Sequence, residues 1–478
     1  MAKKSIKKNY IYNLAYQILL LLTPLITTPY LSRVLGADGI GTVSFVESIV
    51  SYFTLFATLG VTTFGQREIS YLQEDKKKRS KVFWETKALQ VITSLIVLAC
   101  YVVFALFQTN KVLYLILSFN IIAVLVDVVW LLQGMEEFGK IVFRNVVFKA
   151  INIAYIFIVV KTKDDIIKYV FGIAFFLFLS NASLWAHVFR YVEKPNFKDI
   201  KPFRNIKVVI SLFVPTIAVQ IYTVLDKTMI GLITNNSFEN GYYEQAIKLS
   251  KIVLVVVTSL GTVMIPRIGY HYGKGENEQV KAFMYRGYRF VWFLGIPLCF
   301  GLLGTAPNFV PWFFGEGFDE VIPLLKVLSF LILAIGINNV TGMQYLIPTK
   351  RQNLFSLTVL IGASVNFCLN LVLIYFFQAR GAAIASVTAE TIIALIQLYL
   401  VRKELSFWKI LSSSWHYLIA GGLMLVVLEV LESRLNASIL NTLIMAVCGA
   451  ITYIVILLVF RDAFFIDNIK NIAGKVIK

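Results

Sequence analysis

Charge is scarce in this sequence: only 15% of its 478 residues are Asp, Glu, Lys or Arg, against about 25% in a soluble domain. Histidine is scarcer. His187, His271 and His416 stand far apart without ligand spacing, which argues against a histidine-built metal or catalytic centre. The four cysteines, Cys100, Cys299, Cys368 and Cys448, all fall inside apolar runs without C-x-x-C spacing. They read as small core residues, not disulfides, metal ligands or redox pairs. Long polar segments are missing too, so whatever the chain does happens in or beside a bilayer, and no cofactor is expected.

What is present is apolar. Hydrophobic residues make up 58% of the chain and aromatics 14%, with a mean hydropathy of +0.75. The pattern predicts an all-α membrane protein with fourteen spans of about 20 residues. The formal charge of +18 would suggest nucleic acid in a soluble protein. Here it reads as basic loops facing anionic headgroups, with membrane lipids as partners and no nucleic acid. Lys3, Lys4, Lys7 and Lys8 precede an apolar run from Tyr10 to Leu31 that is too long for a signal-peptide core, so that run is expected to be the first span. Lys and Arg in alternate loops divide 34 to 7 in favour of the set containing the N-terminus. That asymmetry predicts an even number of spans with both termini cytoplasmic.

Four cations interrupt the apolar runs: Lys227, Lys248, Lys251 and Lys326. A charge at bilayer depth costs about 3 kcal/mol on insertion scales, so it normally meets a wet cavity or a partner. Glu244, Lys248 and Lys251 share one helical face by their spacing of four and three. An internal repeat surrounds these residues. Pro24 and Arg33 are followed by Gly39-Ile40-Gly41, Thr58-Leu59-Gly60 and Arg67; Pro215 and Asp226-Lys227 are followed by Asn240-Gly241, Ser259-Leu260-Gly261 and Arg267. An offset near 200 residues is six spans, an even number, so the halves are parallel. The expected organisation is an N-lobe over 1–203, a C-lobe over 204–404, and two appended spans over 405–478.

Several short motifs then resemble one family. Asn9-Tyr10-Ile11-Tyr12-Asn13, Pro29-Tyr30-Leu31-Ser32-Arg33-Val34-Leu35-Gly36, Asp226-Lys227-Thr228-Met229-Ile230-Gly231, Ile347-Pro348-Thr349 and Gly381-Ala382-Ala383-Ile384-Ala385-Ser386 are similar, in order and spacing, to the polysaccharide-transporter family. These are the Wzx-type flippases of lipid-linked oligosaccharides, within the superfamily that also holds drug/cation antiporters (MATE) and lipid II flippases. The resemblance covers almost the whole chain. It implies two six-helix lobes around a central cavity, alternating access, and an undecaprenyl-diphosphate-linked glycan as substrate for cell-surface polysaccharide synthesis. It also implies a bacterial cytoplasmic membrane, with a polysaccharide polymerase as a candidate partner.

The resemblance places Arg33, Lys227, Lys248 and Lys251 along the cavity, where cations would neutralise a diphosphate. The bland alternatives are snorkelling for Arg33 and Lys227, and an internal ion pair with Glu244 or Glu47 for the other two. Glu47 and Asp226 are candidates for gating, Glu47 by closing against Lys248 or Lys251. Asp127, expected to share a helical face with Trp130 and Gln133, and Glu390, in the middle of its span, are candidates to carry a coupling H+ or Na+. Structural hydrogen bonding is the competing role for both. Tyr242-Tyr243 and Pro311-Trp312-Phe313-Phe314 are expected in outer loops. A teichoic-acid or lipid II-type exporter is the second transport reading. A small-cation antiporter would favour an acid-lined cavity. An enzyme would need a sizeable outer loop with acids or arginines, and the longest, Ala306 to Glu320, has no Lys, Arg or His.

Overall fold

The computed structural model describes residues 6–195, 197–259 and 261–467, with the backbone alone described at 6–18, 20, 21, 197, 215, 218, 219, 221, 262 and 263. Lys3, Lys4, Lys470, Lys475 and Lys478, all counted above, lie outside the described residues, as do the side chains of Asn9 to Asn13 and of Pro215. Among the described residues the chain is helical and without strands. Ten helical stretches are long and apolar enough to cross a bilayer. Two of them bend back sharply, Ile6–Thr58 at Gly36 and Gln352–Leu400 at Gln378, and each supplies two spans. Ile206–Thr234 and Ser237–Thr258 are also of spanning length, which brings the count among the described residues to fourteen. This is a multi-pass membrane protein.

Local chemistry explains the breaks. Gly36 adopts φ +67°, open to glycine at little steric cost, and it ends the first span at the Leu35-Gly36 motif. At the second bend Gln378 is forced to φ +52° and ψ −132°. The chain folds so tightly there that a Cβ on Gly381 would meet the Leu373 carbonyl at 2.0 Å. Ala382, Ala383 and Ala385 are buried behind it, so the Gly381-to-Ser386 motif is the small-residue seam of this hairpin.

The internal repeat appears in the helix boundaries. After Gly36 the helix runs on to Thr58, breaks at Gly60 (φ +71°), and resumes as Val61–Tyr71. Two hundred residues later Ser237–Thr258 breaks and resumes as Gly261–Gly273. Each copy is a span-length helix followed by a short amphipathic one, which then leads into a long span.

The chain divides into two compact units, Met1–Thr228 and Met229–Lys478. In the first, Phe83, Trp130, Leu131 and Val188 centre one core and Tyr101, Leu117, Ile121 and Ala174 another. Gly65 packs so closely on Trp130 that a Cβ would lie 2.4 Å from the indole. In the second, Ile296, Met424 and Leu428 belong to one continuous core. Gly304 packs on Leu428 and Gly421 on Ile296 and Phe300, seating the Trp415–Glu432 helix against Ile296–Phe314. Asp462 pins the end of Ile439–Val459 by accepting hydrogen bonds from His416 Nε2 (2.9 Å) and the Tyr417 hydroxyl (3.0 Å).

Two sequence expectations need correction. Tyr242 and Tyr243 are helical, in the second turn of Ser237–Thr258, and Pro311 to Phe314 are the last turn of Ile296–Phe314. The loop that follows is therefore only 315–320, because Pro307 and Pro311 are carried inside the helix, where a membrane helix tolerates them.

Candidate functional site

All but one of the predicted cations and acids fall on span-length helices of the two units, and the structure holds each differently. In the first unit Arg33 is exposed, three residues before the Gly36 bend, with Nη1 donating to the Pro29 carbonyl at 2.9 Å. Asp226 and Lys227 are half-buried near the end of Ile206–Thr234. Their neighbour Thr228 is buried, with its hydroxyl 2.9 Å from that of Ser48 and 3.1 Å from that of Tyr52. The Asp226 carboxylate is close enough to act on the Tyr52 hydroxyl electrostatically. Glu47 precedes Ser48 on the other helix and is half-buried. Polar groups from two span-length helices are thus brought together inside the first unit. In hydrocarbon each hydroxyl would otherwise lack a partner.

In the second unit Lys248 lies 3.4 Å from the Glu244 carboxylate, one turn earlier. Lys251 is exposed on the same face. Ser250 Oγ on this helix is buried without a hydrogen-bond partner. Glu390 receives the Asn338 side-chain amide on both its carboxylate and its backbone carbonyl.

Asp127 is not on a continuous helix. Lys111–Val126 stops just before it, and Val128 is non-helical at φ −135°, ψ 18°; a new helix, Val129–Gly134, then begins. The shared face with Trp130 and Gln133 is therefore absent. The Asp127 carboxylate accepts from the Val129 amide at 2.8 Å, a local turn that precedes the new helix.

Residues that the sequence did not single out complete this break. Lys87 is 3% exposed, and its ammonium donates to the Leu125 carbonyl (2.7 Å), the Asp127 carbonyl (2.8 Å) and Gln90 Oε1 (3.1 Å). Gln90 Nε2 reaches the Val124 carbonyl and Trp185 Nε1 the Val126 carbonyl, each at 2.7 Å. A cation at a helix C-terminus complements the helix dipole, and all three ammonium donors are engaged. Lys87 is a structural cation. Lys149 was also overlooked; it sits in mid-helix in Phe138–Val159, on a face with Asn145 and Asn152, in a groove of about 230 Å³ against Ile173 and Phe176. In sequence both lysines stand at the edge of a basic stretch, where the start of an apolar run is not marked. A polar neighbourhood does not reveal where a helix of 31 residues begins, as Lys76–Leu106 does.

Comparison with known proteins fits this geometry. The family model described as "Polysaccharide biosynthesis protein" matches residues 6–270, more than half the chain. The chain belongs to that family. The relatives of this family member include the "Putative O-antigen transporter" of Escherichia coli (strain K12), 24% identical over 84% of this chain and 98% of that protein. The "Probable low-salt glycan biosynthesis flippase Agl15" of Haloferax volcanii is 20% identical over 75% of each. Among solved structures, a lipid II flippase, MurJ, in an inward closed conformation superimposes with a TM-score of 0.73 at 17% identity, over 95% of this chain and 99% of that one. The family member therefore has the fold that the fourteen-span reading anticipated.

Proposed function

We propose that this chain is a flippase. It carries an oligosaccharide linked to a polyprenyl diphosphate across the cytoplasmic membrane by alternating access, while the lipid tail stays in the bilayer. The observation that carries the reading is the set of cations on span-length helices, Arg33 and Lys227 in one unit and Lys248 and Lys251 in the other. A diphosphate leaves water only if cations replace its hydration, and compact ammonium groups suit that task. The family match and the similarity to an O-antigen transporter and a glycan flippase support a glycan as cargo. With Lys87 and Lys149 placed inside their helices the loop cations still divide 32 to 7, which supports cytoplasmic termini. Glu47 and Asp226 are proposed to gate transport, and Glu390 to carry a coupling proton or sodium. The reading involves no covalent chemistry.

The test is genetic and chemical together. Deleting the gene is expected to leave a lipid-linked glycan accumulating on the inner leaflet, cleared by the wild-type chain and cleared poorly by Lys251→Ala. A deletion strain with no such intermediate would refute the substrate class.

A further inference from the structure

Within the second unit, one end of the helices encloses a pocket of about 550 Å³ that has no part in the cation set above. It lies where Ile206–Thr234 passes into Ser237–Thr258, where Val321–Leu328 begins, and at the Gln378 bend. Its volume falls inside the range of small-ligand sites, roughly 300–1,000 Å³.

The lining combines two kinds of group. Phe238, Tyr242, Phe376 and Phe377 contribute rings. Phe376 and Phe377 are 68% and 55% exposed, and Tyr242 is steadied edge-on by Phe318 at 6.3 Å. Glu239, Glu320 and Arg380 contribute fixed polar groups. Glu239 Oε2 accepts the Ala379 amide at 3.0 Å, leaving its other oxygen for a ligand hydroxyl. Arg380 donates to Glu320 Oε2 at 2.6 Å through Nη2, which orients the guanidinium.

The backbone here is strained. Gln378 holds φ +52° and Asn235 holds φ +50° beside the pocket. Non-glycine residues in such conformations cost about 1–3 kcal/mol and concentrate at ligand sites. A belt of interfacial aromatics explains exposed rings, but not a carboxylate and a guanidinium held by hydrogen bonds beside them.

We propose that this pocket is a saccharide-binding subsite for the glycan being moved. Exposed ring faces stack on the apolar faces of sugar rings, while planar carboxylate and guanidinium groups hydrogen-bond pairs of adjacent hydroxyls. Two carboxylates against one guanidinium leave the lining net negative. It therefore selects neutral or amino-bearing sugars over uronic acids, and it is the wrong sign for the diphosphate. The inference rests on the flippase reading for its ligand, and on the loop charge asymmetry for placing the pocket at the outer end.

The experiment presents full-length protein in lipid nanodiscs to an array of neutral, N-acetylated, amino and uronic-acid oligosaccharides. Binding is expected to one or more neutral or amino-bearing sugars. It should weaken at least tenfold in Phe376→Ala and in Glu239→Gln, with apparent melting temperatures unchanged, while Glu316→Gln, outside the lining, binds as wild type. No binding to any arrayed sugar, preference for uronic acids, or binding unchanged in both pocket variants would overturn the proposal. Failure here with the lipid-linked intermediate still accumulating in the deletion strain removes the pocket and leaves the flippase. Sugar binding without that accumulation does the opposite.

Discussion

The Lys248 ammonium lies 3.4 Å from the Glu244 carboxylate, one turn away on the same helix face. Half-exposed pairs at this spacing are weak, about 0.3–0.5 kcal/mol, so Glu244 holds Lys248 in place without consuming it. An arriving diphosphate competes easily. Glu244→Gln is expected to tighten inorganic pyrophosphate binding to the purified protein about twofold, measured by calorimetry, and Lys248→Ala to weaken it. Weaker binding in Glu244→Gln would mean that the carboxylate positions the lysine for the anion and does not compete with it.

Lys87 makes a different prediction, because its charge is spent inside the protein. Lys87→Met strips the donors from two carbonyls and Gln90 in a buried site, and each unsatisfied group costs about 1–3 kcal/mol. A clear drop in the apparent melting temperature of the nanodisc-embedded protein is expected. Unchanged stability would show that water or another donor takes the place of the ammonium.

Glycine contacts supply a matched pair. Gly381→Ala must push apart the hairpin at the Leu373 carbonyl, whereas a Cβ on Gly422 meets nothing within 4 Å. Gly381→Ala should lower the yield of folded protein severely and Gly422→Ala should be silent, both read by size-exclusion chromatography in detergent. Equal behaviour of the two would contradict the tight bend at Gln378.

A pH dependence follows from the loops of the second unit. Arg351 grips Glu404 through two hydrogen bonds of 2.8 Å, and the Tyr345 hydroxyl adds a third. Burial alone would raise the Glu404 carboxyl, but the Arg351 and Tyr345 hydrogen bonds outweigh it and hold it below the ordinary value of 4.5. A depressed carboxylate contributes stability above its unfolded value, lost as pH falls through the folded one. Wild type should therefore melt above Glu404→Gln at pH 7, and the gap should close as pH falls below 4.5. Glu404 is 41% exposed, so the gap corresponds to about 1 kcal/mol or less. A gap that widens in acid would reverse the assignment.

Much of the architecture was legible in the sequence, for physical reasons. Bilayer thickness sets span length, so fourteen apolar runs became fourteen spans. The matched motifs Thr58-Leu59-Gly60 and Ser259-Leu260-Gly261 pointed to the repeat, and a helix ends and another begins at each. Gln378 carried no such signal, because its bend is imposed by the packing of Gly381 and the alanines behind it. Asp127 misled because helical periodicity was extended through a point where Lys87, Gln90 and Trp185 take over the carbonyls. Those partners lie some 35 to 60 positions away in sequence, beyond the reach of local pattern.

The central claim is that Arg33, Lys227, Lys248 and Lys251 neutralise a phosphorylated headgroup in transit. The most direct measurement is the affinity of nanodisc-embedded protein for undecaprenyl diphosphate, compared among wild type and the four single alanine variants and repeated at rising salt. Losing one desolvated contact should cost about 1.4 kcal/mol, a tenfold weaker Kd, with no change for Lys326→Ala. Affinity equal to wild type in all four variants would contradict the account.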